Sequence, residues 1–144
     1  MSKLGVSEAY KLVDVYGLDS EMLGFLPKPV KSLILLFPCS DKYEAHRKEQ
    51  DEKLKQDPPA IPSNMFYMKQ YIHNACGTIA LVHAILNNVH EITLKDDSVL
   101  KNFYEKAKPL NPEERAKLLE KDAAFIGAHQ VKYTKLVKIS HYNL

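Results

Sequence analysis

The sequence predicts a helix-rich α+β chain, on three observations. Val30–Phe37 (VKSLILLF) is a short apolar run with proline on either side, and it reads as a buried strand. Ile79, Leu81, Val82, Ile85 and Leu86 make a helix that is apolar nearly all round, and such a helix belongs inside a core. Two further segments carry helix boundary signals, Ser98 with Pro109 beyond it and a clear start at Asn111. A length of 144 residues suits one domain.

Taken in order, residues 1–11 allow a helical turn and say little more. In VDVYGLDSEMLGFLPKPV, Gly17 and Gly24 punctuate the chain and Pro27 and Pro29 close the stretch. Asp19 caps a short helical turn over Ser20–Leu23, with Glu21 at its positive end. After the expected strand, 41–55 is charge-dense. Glu44–Lys48, Glu49–Lys53 and Asp51–Lys55 are i,i+4 pairs with the acid first, the favourable order on a helix. A partner-binding face is one reading of it, and a solvated surface helix is the plainer one. Asp57-Pro58-Pro59-Ala60-Ile61-Pro62 breaks that helix with extended chain.

The apolar helix follows, with Asn74 as the expected N-cap, Ala75, Cys76 and Gly77 in its first turn, and Asn87-Asn88 as the stop. Val99, Leu100, Phe103, Tyr104 and Ala107 fit an amphipathic helix capped by Ser98, with Pro109 beyond it. Asn111-Pro112-Glu113-Glu114 starts another: Asn caps, Pro takes the first helical position, and acids face the positive end. This helix is expected to reach Glu120 or Asp122. The last stretch, VKYTKLVKISHYNL, has no clean period and reads as a weak strand or a disordered tail. One strand cannot stand alone, because its backbone groups need neighbours; the chain displays less sheet than that strand demands.

Composition narrows the function classes. Lys+Arg 20 against Asp+Glu 18 leaves a net charge of +2, no electrostatic case for nucleic acid or an anionic membrane. No apolar run approaches the roughly 20 residues of a membrane span. The opening MSKLGVSEAY lacks the apolar core of a signal peptide. Two cysteines, Cys39 and Cys76, are too few for a disulfide scaffold or a four-cysteine zinc site. Both are expected as thiols in a reducing, cytoplasmic compartment, in a monomer.

One thiol is placed for chemistry. A cysteine attacks as its thiolate, and the free N–H groups and dipole at a helix start favour negative charge. Cys76 sits at such a start, beside Gly77, which leaves room for a substrate backbone. Acyl transfer also needs donors aimed at the developing oxyanion. The Cys76 N–H is one, and the Gln70 carboxamide, six residues upstream, is the other candidate. Gln shortly before a helix-capping Cys is the layout of papain-like thiol hydrolases. Against this, a lone Cys on an apolar helix is more often a buried structural thiol, and a lone Gln a surface residue. Cys39, after Pro38, reads as structural or incidental.

Residues 68–88, MKQYIHNACGTIALVHAILNN, resemble the active-site segment of the ubiquitin C-terminal hydrolases, papain-like deubiquitinating cysteine peptidases, and of their small single-domain members most of all. VDVYGLDSEMLGFLPKPVKSLILLFP is similar to the family's early strand-and-turn region, DKYEAHRKEQDEKLK to the helix after it, and NPEERAKLLEKD to the helix beyond the active-site region. The resemblance covers about residues 12–130. It implies a papain-like fold, Cys76 as nucleophile and Gln70 in the oxyanion hole. It also implies hydrolysis of an amide or ester at the C-terminal glycine of ubiquitin through an acyl-enzyme, with ubiquitin and its adducts as partners and no metal or organic cofactor.

The family's catalytic His and Asp lie on sheet strands past the point where the similarity stops. Residues 1–130 therefore resemble a partial catalytic domain, about its first half, and 131–144 a divergent tail. The expectation is a family hydrolase with impaired activity. The alternative is an inactive truncated isoform or gene fragment with at most weak ubiquitin binding. Among six histidines none is a good substitute. His83 lies seven residues past Cys76 on one helix, about 10 Å along the axis, and reads as a packed residue. His73 precedes the cap with no acid to orient it. His46 and His90 read as solvated, and His129 and His141 lie at or past the divergence.

Overall fold

The computed structural model describes residues 1–35, 37–123 and 125. They contain five α-helices: α1 Ser20–Gly24, α2 Asp41–Gln56, α3 Cys76–Leu86, α4 Val99–Ala107 and α5 Pro112–Lys121, preceded by a 3₁₀ turn at Ser2–Leu4. The chain divides into two compact units, residues 34–65 and the remainder.

The larger unit is built around α3. Ile79, Leu81, Val82, Ile85 and Leu86 are all buried, as the all-round apolar pattern requires. α4 presents Leu100, Phe103 and Ala107 to the same core. Its N-cap is Ser98, whose hydroxyl accepts from the Lys101 N–H. α5 adds Leu119 to that core. It opens with a complete capping box: Asn111 Oδ1 accepts from the Glu113 and Glu114 N–H groups, and Glu114 Oε2 accepts from the Asn111 N–H. Its end at Lys121 falls within the expected range.

The first residues contribute more than their composition suggests. Leu4 and Val6 are buried in the core, and Val6 makes an isolated antiparallel bridge with Leu94. Between them Gly5 takes φ +88° beside Ser98, and its carbonyl accepts from the Lys95 N–H at 2.8 Å. A Cβ on Gly5 would overlap the Ser98 side chain. The turn that brings Leu4 and Val6 against the start of α4 therefore needs glycine twice over, for its dihedral and for its space.

The buried strand expected at Val30–Phe37 does not form. The described residues of this stretch have no regular structure, and Val30, Leu33, Leu35 and Phe37 are exposed. An apolar run becomes a strand only when a neighbour completes its ladder. Among the described residues, the Val6–Leu94 bridge is the sole β-pairing. The described part is thus helical with almost no strand.

The smaller unit consists of α2 and its flanks. Ser40 caps α2 by accepting from the Tyr43 N–H, Tyr43 meets Phe37 edge to face at 4.9 Å, and no α2 residue is buried. Of the three expected charge pairs, Glu49–Lys53 forms (2.7 Å). Glu44 instead pairs with Arg47 and Glu52 with Lys55, each three residues apart, which the helix surface allows equally well. The solvated reading of this helix fits its exposure. Among the described residues no helix is long and apolar enough to cross a membrane. The expected weak strand or tail at 131–144 lies outside the described residues.

Candidate functional site: Cys76 and Gln70 at the start of α3

α3 begins one residue later than expected. Asn74 takes φ +56°, in the left-handed region, and its side chain does not cap the helix. Asn tolerates that conformation better than most residues, and here it turns the chain into the helix instead of capping it. Ala75 is the N-cap, buried, with its carbonyl accepting from the Ile79 N–H at 2.8 Å. Cys76 is thereby the first helical residue, among the backbone N–H groups that have no partner within the helix.

Cys76 is a free, exposed thiol. The Gln70 carboxamide donates through Nε2 to Cys76 Sγ at 3.3 Å and to the Ile72 carbonyl at 3.2 Å. The second bond fixes the amide's orientation, so that a donor rather than an acceptor faces the sulfur. Buried Ala75 and Ile79 flank the thiol along the chain, so the first turn of α3 is anchored while its sulfur stays open. Its chain neighbours and its own helix backbone aside, no described heavy atom lies within 4 Å of where a Gly77 Cβ would stand. The other described side chains therefore leave room at Gly77, beside the thiol in the chain.

Among the described residues no histidine is hydrogen-bonded to Gln70 or Cys76. His83 is half-buried, stacks on the Tyr67 ring at 5.2 Å, and accepts the Met68 N–H at Nε2 (3.1 Å). Burial pushes its pKa below the ordinary value, which keeps the ring neutral and Nε2 able to accept. His73 is exposed, and no described carboxylate bonds to it. His90 faces Glu91 at 3.5 Å on the surface, and His46 is exposed on α2. His129 and His141 lie outside the described residues. Cys39, also exposed, directly precedes the α2 cap in the smaller unit. Among the described residues no cluster of three His, Cys, Asp or Glu side chains could hold a metal ion.

The segment leading to Gln70 was not foreseen as an element. Phe66 and Met68 are buried while Tyr67, Lys69 and Gln70 are exposed, the alternation of an extended chain. Phe66-Tyr67-Met68-Lys69 carries that period in its letters, a signal too short to stand out beside the helix that follows.

Comparison with known proteins bears on the whole chain. The family profile of ubiquitin carboxyl-terminal hydrolase, family 1, matches residues 1–138. A ubiquitin carboxyl-terminal hydrolase of Drosophila melanogaster is 49% identical over 128 residues, 89% of this chain and 56% of that protein. Human ubiquitin carboxyl-terminal hydrolase isozyme L1 is 43% identical over 129 residues, 90% of this chain and 57% of that protein, and the rat isozyme L1 matches equally. The chain spans somewhat over half the length of these relatives. With nearly all its residues matched by the family profile, this chain belongs to family 1 of the ubiquitin carboxyl-terminal hydrolases.

Proposed function

We propose that Cys76 is a nucleophile for the carbonyl of ubiquitin's C-terminal glycine, and that Gln70 and the Cys76 N–H are the oxyanion donors. The observation that carries this reading is the Gln70 Nε2–Cys76 Sγ distance of 3.3 Å at an exposed helix start. In the reaction, the sulfur bonds to the carbonyl carbon, and the carbonyl oxygen gains negative charge beside Nε2. Collapse then expels the amine or alcohol, which takes up the proton the thiol gave up, and leaves a thioester; water hydrolyses it to the free carboxylate and the thiol. Such donors are worth about a hundredfold to a thousandfold each in rate. The family membership and the relatives' names support ubiquitin as the acyl group. They also support a papain-like arrangement around Cys76.

The reaction needs a base to take the thiol proton and an acid to orient that base. Among the described residues neither is at hand: His83 spends its ring nitrogen on the Met68 N–H, and His73 has no carboxylate partner. Cys76 with no base and orienting acid beside it is expected to attack without efficient turnover. The second reading, a non-catalytic ubiquitin binder, rests on that same shortage.

Two measurements separate these readings. Ubiquitin carrying a C-terminal vinyl methyl ester is expected to label wild type, and not Cys76→Ala. A fluorogenic ubiquitin C-terminal amide is expected to turn over near background. Labelling that survives Cys76→Ala overturns the nucleophile, and no labelling of wild type favours the non-catalytic reading. Fast turnover overturns the expected impairment.

A further inference from the structure

The segment Phe66–Gln70 is held like a strand, yet by side chains and a helix end instead of a sheet. On one side, Asn87 binds both backbone groups of Phe66: Oδ1 accepts the Phe66 N–H at 2.8 Å, and Nδ2 donates to the Phe66 carbonyl at 2.9 Å. One turn earlier on α3, His83 Nε2 accepts the Met68 N–H at 3.1 Å. On the other side, Arg115 Nη1 donates to the Tyr67 carbonyl at 2.9 Å, and the Lys69 N–H donates to the Pro112 carbonyl at 3.1 Å. Residues 66 and 68 thus bond to α3, and residues 67 and 69 to α5, in the alternation a ladder would have.

α3 therefore does two things. Its first residue carries the thiol. The side chains of His83 within the helix and of Asn87, the helical C-cap just past its end, are four residues apart and so on one face, and they set the register of the segment that delivers Gln70 to that thiol. We propose that His83 and Asn87 are positioning residues that fix the Gln70 carboxamide against Cys76 through the backbone of residues 66–68. This rests on the reading of Gln70 as an oxyanion donor. The part His83 plays is specific to its acceptor nitrogen. A ring alone would fill the same space and keep the stack on Tyr67, but it would leave the Met68 N–H without its partner and the segment free to slip along α3. A displacement of about 1 Å at an oxyanion donor is enough to cost on the order of a hundredfold in rate.

The test uses the full chain in a Cys39→Ser background, so that Cys76 is the one thiol. Two reactions are compared: acylation by a 4-nitrophenyl ester, read as the burst of nitrophenolate, and alkylation by iodoacetamide. Acylation passes through an oxyanion and alkylation does not. His83→Phe keeps the ring and loses the acceptor, and His83→Gln loses the ring and keeps an acceptor at similar reach. The expectation is that His83→Phe acylates about tenfold slower than its parent while alkylating within about twofold, and that His83→Gln restores acylation. Asn87→Asp, which sets a carboxylate against the Phe66 carbonyl, should slow acylation in the same selective way. Were His83 merely packing, the order would reverse, with Phe tolerated and Gln slow. That order, or equal acylation by all variants, overturns the proposal.

Gln70→Ala and the side-chain amide NMR signals of Gln70 separate the two layers. If Gln70→Ala slows acylation but His83→Phe neither slows it nor moves those signals, the positioning role falls and Gln70 stands. If His83→Phe moves the signals while Gln70→Ala acylates normally, the placement stands and the oxyanion role falls.

Discussion

Gly77 and Gly5 are both single hydrogen side chains, and they answer to different constraints. Its chain neighbours and its own helix backbone aside, no described atom lies within 4 Å of a Cβ built on Gly77, and its backbone is helical, so Gly77→Ala meets no obstacle among the described residues. Alanine in place of glycine in a helix gains up to about 1 kcal/mol. We expect the variant to melt no lower than wild type and to react more slowly with the ubiquitin vinyl ester, because the methyl group occupies the open approach to Cys76. A lower melting temperature would refute the first part, and unchanged labelling the second. At Gly5 the positive φ and the Ser98 side chain both oppose a Cβ. Gly5→Ala should lower stability by about 2 kcal/mol or more, read by urea denaturation, since it combines strain with overpacking.

His83 carries a pH dependence of known sign. Its pKa in the folded chain lies below the ordinary value because burial disfavours the cation. Between the two values the unfolded chain holds more protons, so stability rises with pH there. The contribution is complete above the unfolded value of about 6.5 and fades as pH falls through it. Urea midpoints at pH 7.5 and 5.5 should therefore differ more in wild type than in His83→Gln, which has no imidazole to titrate. An equal drop in both would rule out His83 as the source.

At the scale of elements, what holds each helix decides how it responds to change. α5 depends on its start. Asn111 satisfies two first-turn N–H groups, and the neighbouring contacts converge on the same end: Lys69 pairs with Glu113 at 2.5 Å, and Arg115 donates to the carbonyls of Ala107, Lys108 and Tyr67. The Arg115 guanidinium also lies over the Phe66 ring at 4.5 Å. Asn111→Ala should cost about 1–2 kcal/mol by thermal or urea melting. The cap signals of α1, α4 and α5 were readable because capping is a contact between near neighbours, and Asp19, Ser98 and Asn111 each reach an amide two or three residues on, as Ser40 does at α2. Asn74 misled for the same reason. Its residue type suits a cap, but the chain reaches α3 through a left-handed turn, and Ala75 takes the position with no side-chain bond to offer.

Over the whole molecule, burial is concentrated in the larger unit. Phe103 is fully buried there, with Phe125 at 5.1 Å and Phe66 at 6.4 Å edge to face. Truncation of such a ring costs about 3–5 kcal/mol, a large part of a margin of about 5–15 kcal/mol. The smaller unit has no counterpart. α2 spans 16 residues and buries none of them. An isolated helix of that length is marginal in water, and exposed ion pairs add little. Hydrogen exchange should show α2 amides exchanging far faster than those of α3 between Ile79 and Leu86. Comparable protection in the two helices would count against this division.

Much of the local geometry was legible from the letters alone. Helix starts, the all-round apolar face of α3 and the closeness of Gln70 to Cys76 depend on residues a few positions apart, where spacing is nearly geometry. The tertiary structure decided the rest. Among the described residues it gave the 30–37 stretch no pairing neighbour, and so no strand, although its composition is that of one. It seated Leu4 and Val6 against α4 through a turn that only Gly5 permits. It also drew Asn87 and His83 to the backbone of Phe66 and Met68, 21 and 15 positions earlier in the chain. The reason is the same in each case. A cap or an amphipathic face is satisfied within one turn of the chain, whereas a backbone group that bonds at long range is satisfied by whatever the fold brings beside it, and no local pattern encodes that neighbour.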